Sequence, residues 1–311
     1  MLHETHEHLV IYAEVAQALQ THQPIVALES AVITHGLPHP ENLKLAIEME
    51  NEVRKQGATP ATIALLAGKI HIGLSPMELE TLADPELITR KISRRDFGIA
   101  ITGQEYGGTT VAGTLIAACT TGIQVFATGG IGGVHRNAAF DISADLPELS
   151  RSPMVVVCAG AKATLDLPAT LEYLETMGVP VIGYQTDEFP AFYSSKSGLP
   201  VNVRINDPRE AALIALAQWE LGLKNAILLV QPPPAESAIP YDEINAIIEK
   251  ALMESRERHI SGSSVTPFLL SKVNELSHGS SLQTNLALLR NNAQLAAQVA
   301  REIAGSLHSK D

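Results

Sequence analysis

Met154-Val155-Val156-Val157-Cys158-Ala159-Gly160-Ala161-Lys162 is the stretch on which the fold turns. Its apolar run, closed by Gly160 and followed by a helical pattern over 165–177, reads as a buried parallel strand feeding a helix. Lys162 then falls at the carboxyl end of that strand, where an open α/β sheet forms its ligand crevice. Desolvation makes an amine easier to deprotonate, and a neutral amine can attack a carbonyl to give a Schiff base. The competing reading is a surface lysine in an ordinary βα loop.

The same alternation runs outward in both directions. Residues 25–28, 97–102, 123–127, 179–184 and 226–230 are strand-like, and 62–66 and 69–73, joined at Ala67-Gly68, suggest a hairpin. Helical patterns cover 41–56, 109–121, 207–221 and, at the end, 282–304. Strands alternating with helices predict an α/β fold, a three-layer α/β/α arrangement with a mainly parallel central sheet. No linker or charge run divides the 311 residues, so one domain over 1–311 is expected.

With 45% hydrophobic residues the chain can bury a large core. A net charge of −12 argues against a nucleic-acid partner, because phosphate contacts need clustered Lys and Arg, yet leaves room for a few cations in one pocket. Cys119 and Cys158 lie in apolar stretches, as buried thiols of a reducing compartment would. There is no signal-peptide pattern at the start and no apolar run of bilayer length, so a cytoplasmic location without a membrane partner is expected. His3, His6 and His8 do not have the zincin spacing and read as a solvated end.

Three further segments carry chemistry. Glu29 directly follows the strand 25–28, and a carboxyl entering a crevice from a buried strand can serve as a general acid; the alternative is a loop carboxylate. Thr128-Gly129-Gly130-Ile131-Gly132-Gly133-Val134-His135-Arg136 is neither a Walker A loop nor a dinucleotide fingerprint. Its four glycines, with Thr128, His135 and Arg136, suit either a compact phosphate cradle or a tight turn. Asp141-Ile142-Ser143-Ala144-Asp145-Leu146 reads as one helical turn bearing two carboxylates and a hydroxyl. Those groups fit a hard, mostly water-ligated cation such as Mg²⁺ or Mn²⁺, or a helix cap.

Together with Ala27-Leu28-Glu29-Ser30, Thr34-His35-Gly36 and the stretches 58–64 and 184–193, these motifs make the chain resemble the pseudouridine-5′-phosphate glycosidase family, which includes indigoidine-cluster homologues. The resemblance runs from about Val10 to Ala304. It implies reversible cleavage of the C–C glycosidic bond of pseudouridine 5′-phosphate to uracil and ribose 5-phosphate, in a homotrimer of α/β/α subunits. Carried onto matching positions, it makes Lys162 the nucleophile at ribose C1′ and Glu29 the proton donor for ring opening. It makes Lys91 a substrate-binding lysine, on the phosphate, and puts Val111 in a substrate-contacting loop. Asp141 becomes the Mn²⁺ ligand, Ser143, Ala144 and Asp145 substrate contacts, and Asn285 a partner for the uracil edge. The chain departs from the family in the segment Asn137-Ala138-Ala139-Phe140, which is shorter than usual and adjoins the metal position, and no fused kinase domain of the kind some relatives carry is expected. The rival readings are a lysine-dependent sugar-phosphate aldolase, a non-catalytic sugar-phosphate sensor, and a glycosidase for another C-nucleoside phosphate.

Overall fold

All four residues of the strand Val155–Cys158 are fully buried, and they divide between two cores. Val155 and Val157 enter one apolar cluster while Val156 and Cys158 enter another, because successive strand side chains point to opposite faces. Both faces of the sheet are therefore covered. The computed structural model describes residues 7–136, 140–260 and 265–308; His3, His6, Asn137, Ala138 and Ala139 lie outside them.

The strands are β1 (Leu9–Ile11), β2 (Ile25–Leu28), β3 (Thr59–Leu66), β4 (Lys69–Ile72), β5 (Thr89–Ile92), β6 (Tyr106–Thr109), β7 (Val125–Ala127), β8 (Val134–His135), β9 (Val155–Cys158), β10 (Leu165–Asp166), β11 (Val181–Tyr184), β12 (Val203–Ile205) and β13 (Ile227–Val230). Eleven of them form one sheet in the order β1-β4-β3-β2-β7-β9-β13-β11-β12, with β6 on β3 and β5 on β6. From β3 through β12 along this order every pairing is parallel; β3 pairs antiparallel with β4 and β6. β8 and β10 form a separate antiparallel pair.

On one face lie α2 (Glu41–Lys55), α8 (Pro208–Glu220), α9 (Tyr241–Glu257), α10 (Val265–Leu276) and α11 (Ser280–His308). On the other lie α1 (Ala13–Gln20), α5 (Val111–Thr121), α6 (Asp145–Leu149) and α7 (Leu167–Thr176). The long helix α11 crosses its face against α2, α8 and strands β2, β7 and β9. The three-layer α/β arrangement and mainly parallel sheet expected from the alternation are thus what forms. Short helices α3 (Pro76–Ala83) and α4 (Phe97–Thr102) cover the antiparallel edge.

Residues 97–102, expected as a strand, instead form α4. Phe97, Ala100 and Ile101 turn inward against Leu65 and Ile92, a helical spacing, while Ile99 is 57% exposed. A short apolar run does not distinguish the two states; length and its neighbours do. Nor do residues 141–145 form one helical turn: Ile142 bridges Val134 in extended backbone, and α6 begins only at Asp145.

The chain steps from β2 to β3 on one side and later returns to β7 on the other. Such a reversal opens a crevice at the carboxyl ends of the flanking strands. Glu29 and Thr128 leave the sheet at those ends.

Candidate active site

Glu29 emerges from β2 with only 8% of its surface exposed. The next residue anchors the exit: Ser30 Oγ donates to Ile63 O at 2.5 Å and accepts from Thr109 N–H at 2.9 Å. Thr109 Oγ1 donates to the same Ile63 carbonyl at 2.7 Å, so β2, β3 and β6 are tied together beside the carboxyl. A π-helical turn, Val32–Gly36, follows. It fits because Gly108 has no Cβ, which would collide with Thr34 Oγ1 and the Ser30 carbonyl.

The lysine loop and the glycine-rich loop are zipped together beyond their strands. Thr128 N–H donates to Val157 O at 3.0 Å, Ala159 N–H to Gly129 O at 2.9 Å, Ile131 N–H to Gly160 O at 3.0 Å, and Lys162 N–H to Ile131 O at 3.1 Å. Gly160, at φ +83°, makes the turn this requires; a side chain there would strike the Pro190 carbonyl. Lys162 is thereby carried on a backbone as constrained as a strand, although it lies outside one.

Glu29, Lys91, Asp145 and Lys162 face one another closely enough for their charges to interact. Burial raises the Glu29 pKa above the usual carboxylate range, with Asp145 acting in the same direction. Lys162, a hydrogen bond from Thr128 Oγ1 to Glu29 Oε1, and Lys91 oppose that rise. A buried carboxyl with a raised pKa is suited to donating a proton near neutral pH. Lys91 reaches the group from edge strand β5, whose register sets it opposite Gly108. Burial and then the neighbouring Lys162 lower its pKa, against the pull of Asp145 and Glu29.

Asp145 holds the group's floor. Its Oδ1 accepts from Ala112 N–H at 2.9 Å and its Oδ2 from Gly132 N–H at 2.8 Å, joining the start of α5, where Val111 is buried, to the glycine loop. Each oxygen keeps a lone pair for a ligand. Asp145→Ala leaves two buried N–H groups without acceptors and is expected to cost about 2–4 kcal/mol of stability. Urea unfolding measures this, and Asp145→Asn, which keeps one acceptor, is expected to lose less.

Ser143 caps this corner, accepting from Asp145 N–H at 3.2 Å, and Ala144 is the residue immediately before α6. Asp141 differs from Asp145: its side chain is 63% exposed, with its nearer oxygen 4.0 Å from His135 Nδ1. Arg136 is committed elsewhere. It donates to Leu165 O and Ala163 O at 3.0 Å each and to Glu249 Oε1 at 2.6 Å, strapping the lysine loop to α9. Thr128 likewise donates its hydroxyl to Glu29, so of the cradle residues Thr128, His135 and Arg136 the first and last have these donors engaged within the protein. Asn285 is buried near the start of α11.

Among the described residues no three His, Cys, Asp or Glu side chains converge as a metal cage. One exposed carboxylate with an imidazole nearby fits only a hard cation that retains most of its waters. Cys158 is no candidate nucleophile, since burial pushes its thiol up to about 12.

Three residues given no role from the sequence belong to the site or its support. His35 packs beside Lys91, its Nδ1 2.6 Å from Thr34 Oγ1, and burial first, then Lys91, lowers its pKa. Asn292 and Gln231 lie behind the glycine loop. The spacing Leu288, Leu289, Asn292, Leu295, Ala296 places Asn292 on the apolar face of α11, and a polar residue there is the signal that could have exposed it.

The family described as indigoidine synthase A-like protein matches residues 14–302. The chain is 53% identical over 298 residues to a pseudouridine-5′-phosphate glycosidase of Solibacter usitatus, covering 95% of this chain and 99% of the relative. A glycosidase of the same name from Geobacillus kaustophilus is 53% identical over 297 residues, covering 95% and 98%. Among solved structures, the prealnumycin C-glycosynthase AlnA in complex with ribulose 5-phosphate is similar at a TM-score of 0.90 and 38% identity, covering 98% of this chain and 99% of that one. An indigoidine synthase A-like protein from Thermotoga maritima gives 0.89 and 37%, covering 98% and 100%. The chain belongs to the indigoidine synthase A-like family, whose similar members include proteins named pseudouridine-5′-phosphate glycosidase.

Proposed function

We propose that this protein is a pseudouridine-5′-phosphate glycosidase, cleaving the C–C bond between ribose C1′ and uracil C5 reversibly, through an imine on Lys162. The observation that carries this reading is the meeting of a buried Glu29, whose pKa burial raises, with two lysines, Lys91 and Lys162, close enough for their charges to act on it. The names of the relatives support the substrate, and the ribulose 5-phosphate held by the C-glycosynthase supports a sugar-phosphate pocket.

Carbon is a poor leaving group, so the two-carboxylate route of ordinary glycosidases transfers badly. Here Glu29 protonates the ribose ring oxygen, and the C1′–O4′ bond breaks as electrons flow from uracil N1 into a C5–C1′ double bond. The Lys162 amine adds to C1′. Protonation at C5 lets the C1′–C5 bond break: its electron pair returns to the uracil ring while the amine lone pair forms the imine. Water then hydrolyses the imine to ribose 5-phosphate and free Lys162. Lys91 binds the phosphate, and binding remote from the bond that breaks supplies orientation. Val111, Ser143, Ala144 and Asp145 line the sugar side, His135 the loop above it, and Asn285 offers its amide to the uracil edge. Thr128 serves the substrate through Glu29.

Mn²⁺ would be held by Asp141 and otherwise by water, supplying positive charge beside the phosphorylated substrate. Asp141→Asn is expected to weaken Mn²⁺ binding roughly tenfold or more, since one formal charge is the whole protein contribution. The free Mn²⁺ signal in electron paramagnetic resonance reads this without an activity assay. We further propose a homotrimer, which light scattering tests.

The function itself is tested by incubating the protein with pseudouridine 5′-phosphate. Uracil and ribose 5-phosphate appearing in equal amounts support it. Aldol cleavage of sugar phosphates without uracil release, or ligand-induced stabilisation without turnover, would replace it with the aldolase or the sensor. No helix among the described residues is long and apolar enough to cross a membrane.

A further inference from the structure

A line of buried polar side chains, Gln231, Asn292 and Thr128, leads to Glu29. Gln231, immediately after β13, donates from Nε2 to Asn292 Oδ1 at 3.0 Å. Asn292 is fully buried on α11 and donates from Nδ2 to Thr128 O at 2.8 Å and to Gly129 O at 3.4 Å. Thr128 N–H is fixed on Val157 O at 3.0 Å, and its hydroxyl donates to Glu29 Oε1.

Burying an amide costs free energy unless its groups are bonded, and here they are bonded in a directed way. The bond from Gln231 occupies the Asn292 oxygen, so the NH₂ end must face the two loop carbonyls. The nearer of those carbonyls is Thr128's own, and the other belongs to the next residue of the loop. Leu288, Leu289, Leu295 and Ala296 share its face of α11 and enter the apolar core, so the pattern of the helix alone calls for an apolar residue rather than an asparagine here.

We propose that Asn292, oriented by Gln231, is a positioning residue for the proton donor Glu29: it holds the Thr128–Gly129 backbone where the Thr128 hydroxyl keeps its bond to the Glu29 carboxylate. The inference rests on the reading of Glu29 as the acid. Acid groups must be held within about half an ångström of their working geometry, and Thr128 cannot turn its hydroxyl onto Glu29 if its own peptide drifts. The charged groups facing Glu29 are Lys162, Asp145 and Lys91, carried by the lysine loop, α6 and β5. None is on α11 or β13, so a neutral substitution at Asn292 or Gln231 leaves the charges around Glu29 as they were.

The test is the pH profile of kcat/KM for uracil release. Glu29 works protonated, so activity falls as pH rises through its pKa, and that limb is identified by its loss in Glu29→Gln. The Thr128 bond favours the ionised carboxylate; losing it raises the pKa and moves the limb to higher pH. Thr128→Val is expected to move the limb up by roughly half to one unit. Asn292→Leu is expected to move it the same way and to lower kcat about tenfold with KM within about twofold, an effect on the chemical step. Because Asn292 acts through Thr128, the double variant is expected to shift no further than Thr128→Val alone. Gln231→Met, nearly isosteric, gives the same direction with a smaller shift and serves if Asn292→Leu does not fold. Wild-type limbs in Asn292→Leu and Gln231→Met, or additive shifts in the double variant, would overturn the positioning role while leaving the glycosidase reading intact. A wild-type profile with no Glu29-dependent limb would remove the acid role and the positioning role with it.

Discussion

Lys162→Ala is expected to reduce uracil release on the order of 10⁴-fold or more while the protein stays folded. The expectation follows from the bond being broken. A carbon leaving group departs with its bonding pair only if C1′ receives electrons from elsewhere, and the Lys162 amine lone pair supplies them as it becomes the imine; a carboxylate in the crevice is a far weaker donor. Folding is expected to survive because the loop is held by backbone bonds that the substitution leaves alone: Lys162 N–H to Ile131 O at 3.1 Å, and Ile131 N–H to Gly160 O at 3.0 Å. The side chain is only partly buried, so its loss opens no core cavity. Turnover with pseudouridine 5′-phosphate and a thermal melt separate the two effects. Near-wild-type turnover in this variant would dismiss the covalent route.

Glu29→Gln is expected to lower kcat by about 10²–10⁴, the range over which general acid catalysis contributes. The glutamine keeps the carboxyl's shape and can still accept the Thr128 hydroxyl, so the crevice is expected to keep its form. It has no proton to give to the ring oxygen. Substrate affinity changes less than turnover if the phosphate grip belongs to Lys91. The variant's profile is also expected to lose the limb at which activity falls with rising pH. An unchanged limb would assign that titration to another group, such as His35 or Lys91, which share the crevice.

What could be read without the structure follows from which forces leave a mark in a linear chain. Residues 154–158 declare a buried parallel strand because burial on both faces demands an unbroken apolar run, and the division of Val155 through Cys158 between two cores shows why. The short run 97–102 carries its helical spacing in three residues only, too few to distinguish it from a strand. At the site, the position of Glu29 after β2 and of Lys162 after β9 was visible as strand-end chemistry. The partners of Asp145 were not, since backbone N–H groups of Ala112 and Gly132 have no sequence signature. The distinct surroundings of Asp141, exposed, and Asp145, buried, depend on where α6 begins. Lys91 and Val111 had no spacing signal at all; only likeness to a family singled them out, and the register of β5 on β6 supplies the physical reason for Lys91.

Lys91 also sharpens the decisive experiment, because burial and Lys162 favour its neutral form and so make it a competing amine. Incubation with ribose 5-phosphate and cyanoborohydride reduces any imine to a stable secondary amine, and peptide mass mapping locates it. The expected result is one sugar-phosphate adduct, on Lys162, absent from Lys162→Ala. An adduct on Lys91, or none while uracil is still released, would contradict the assignment of the nucleophile.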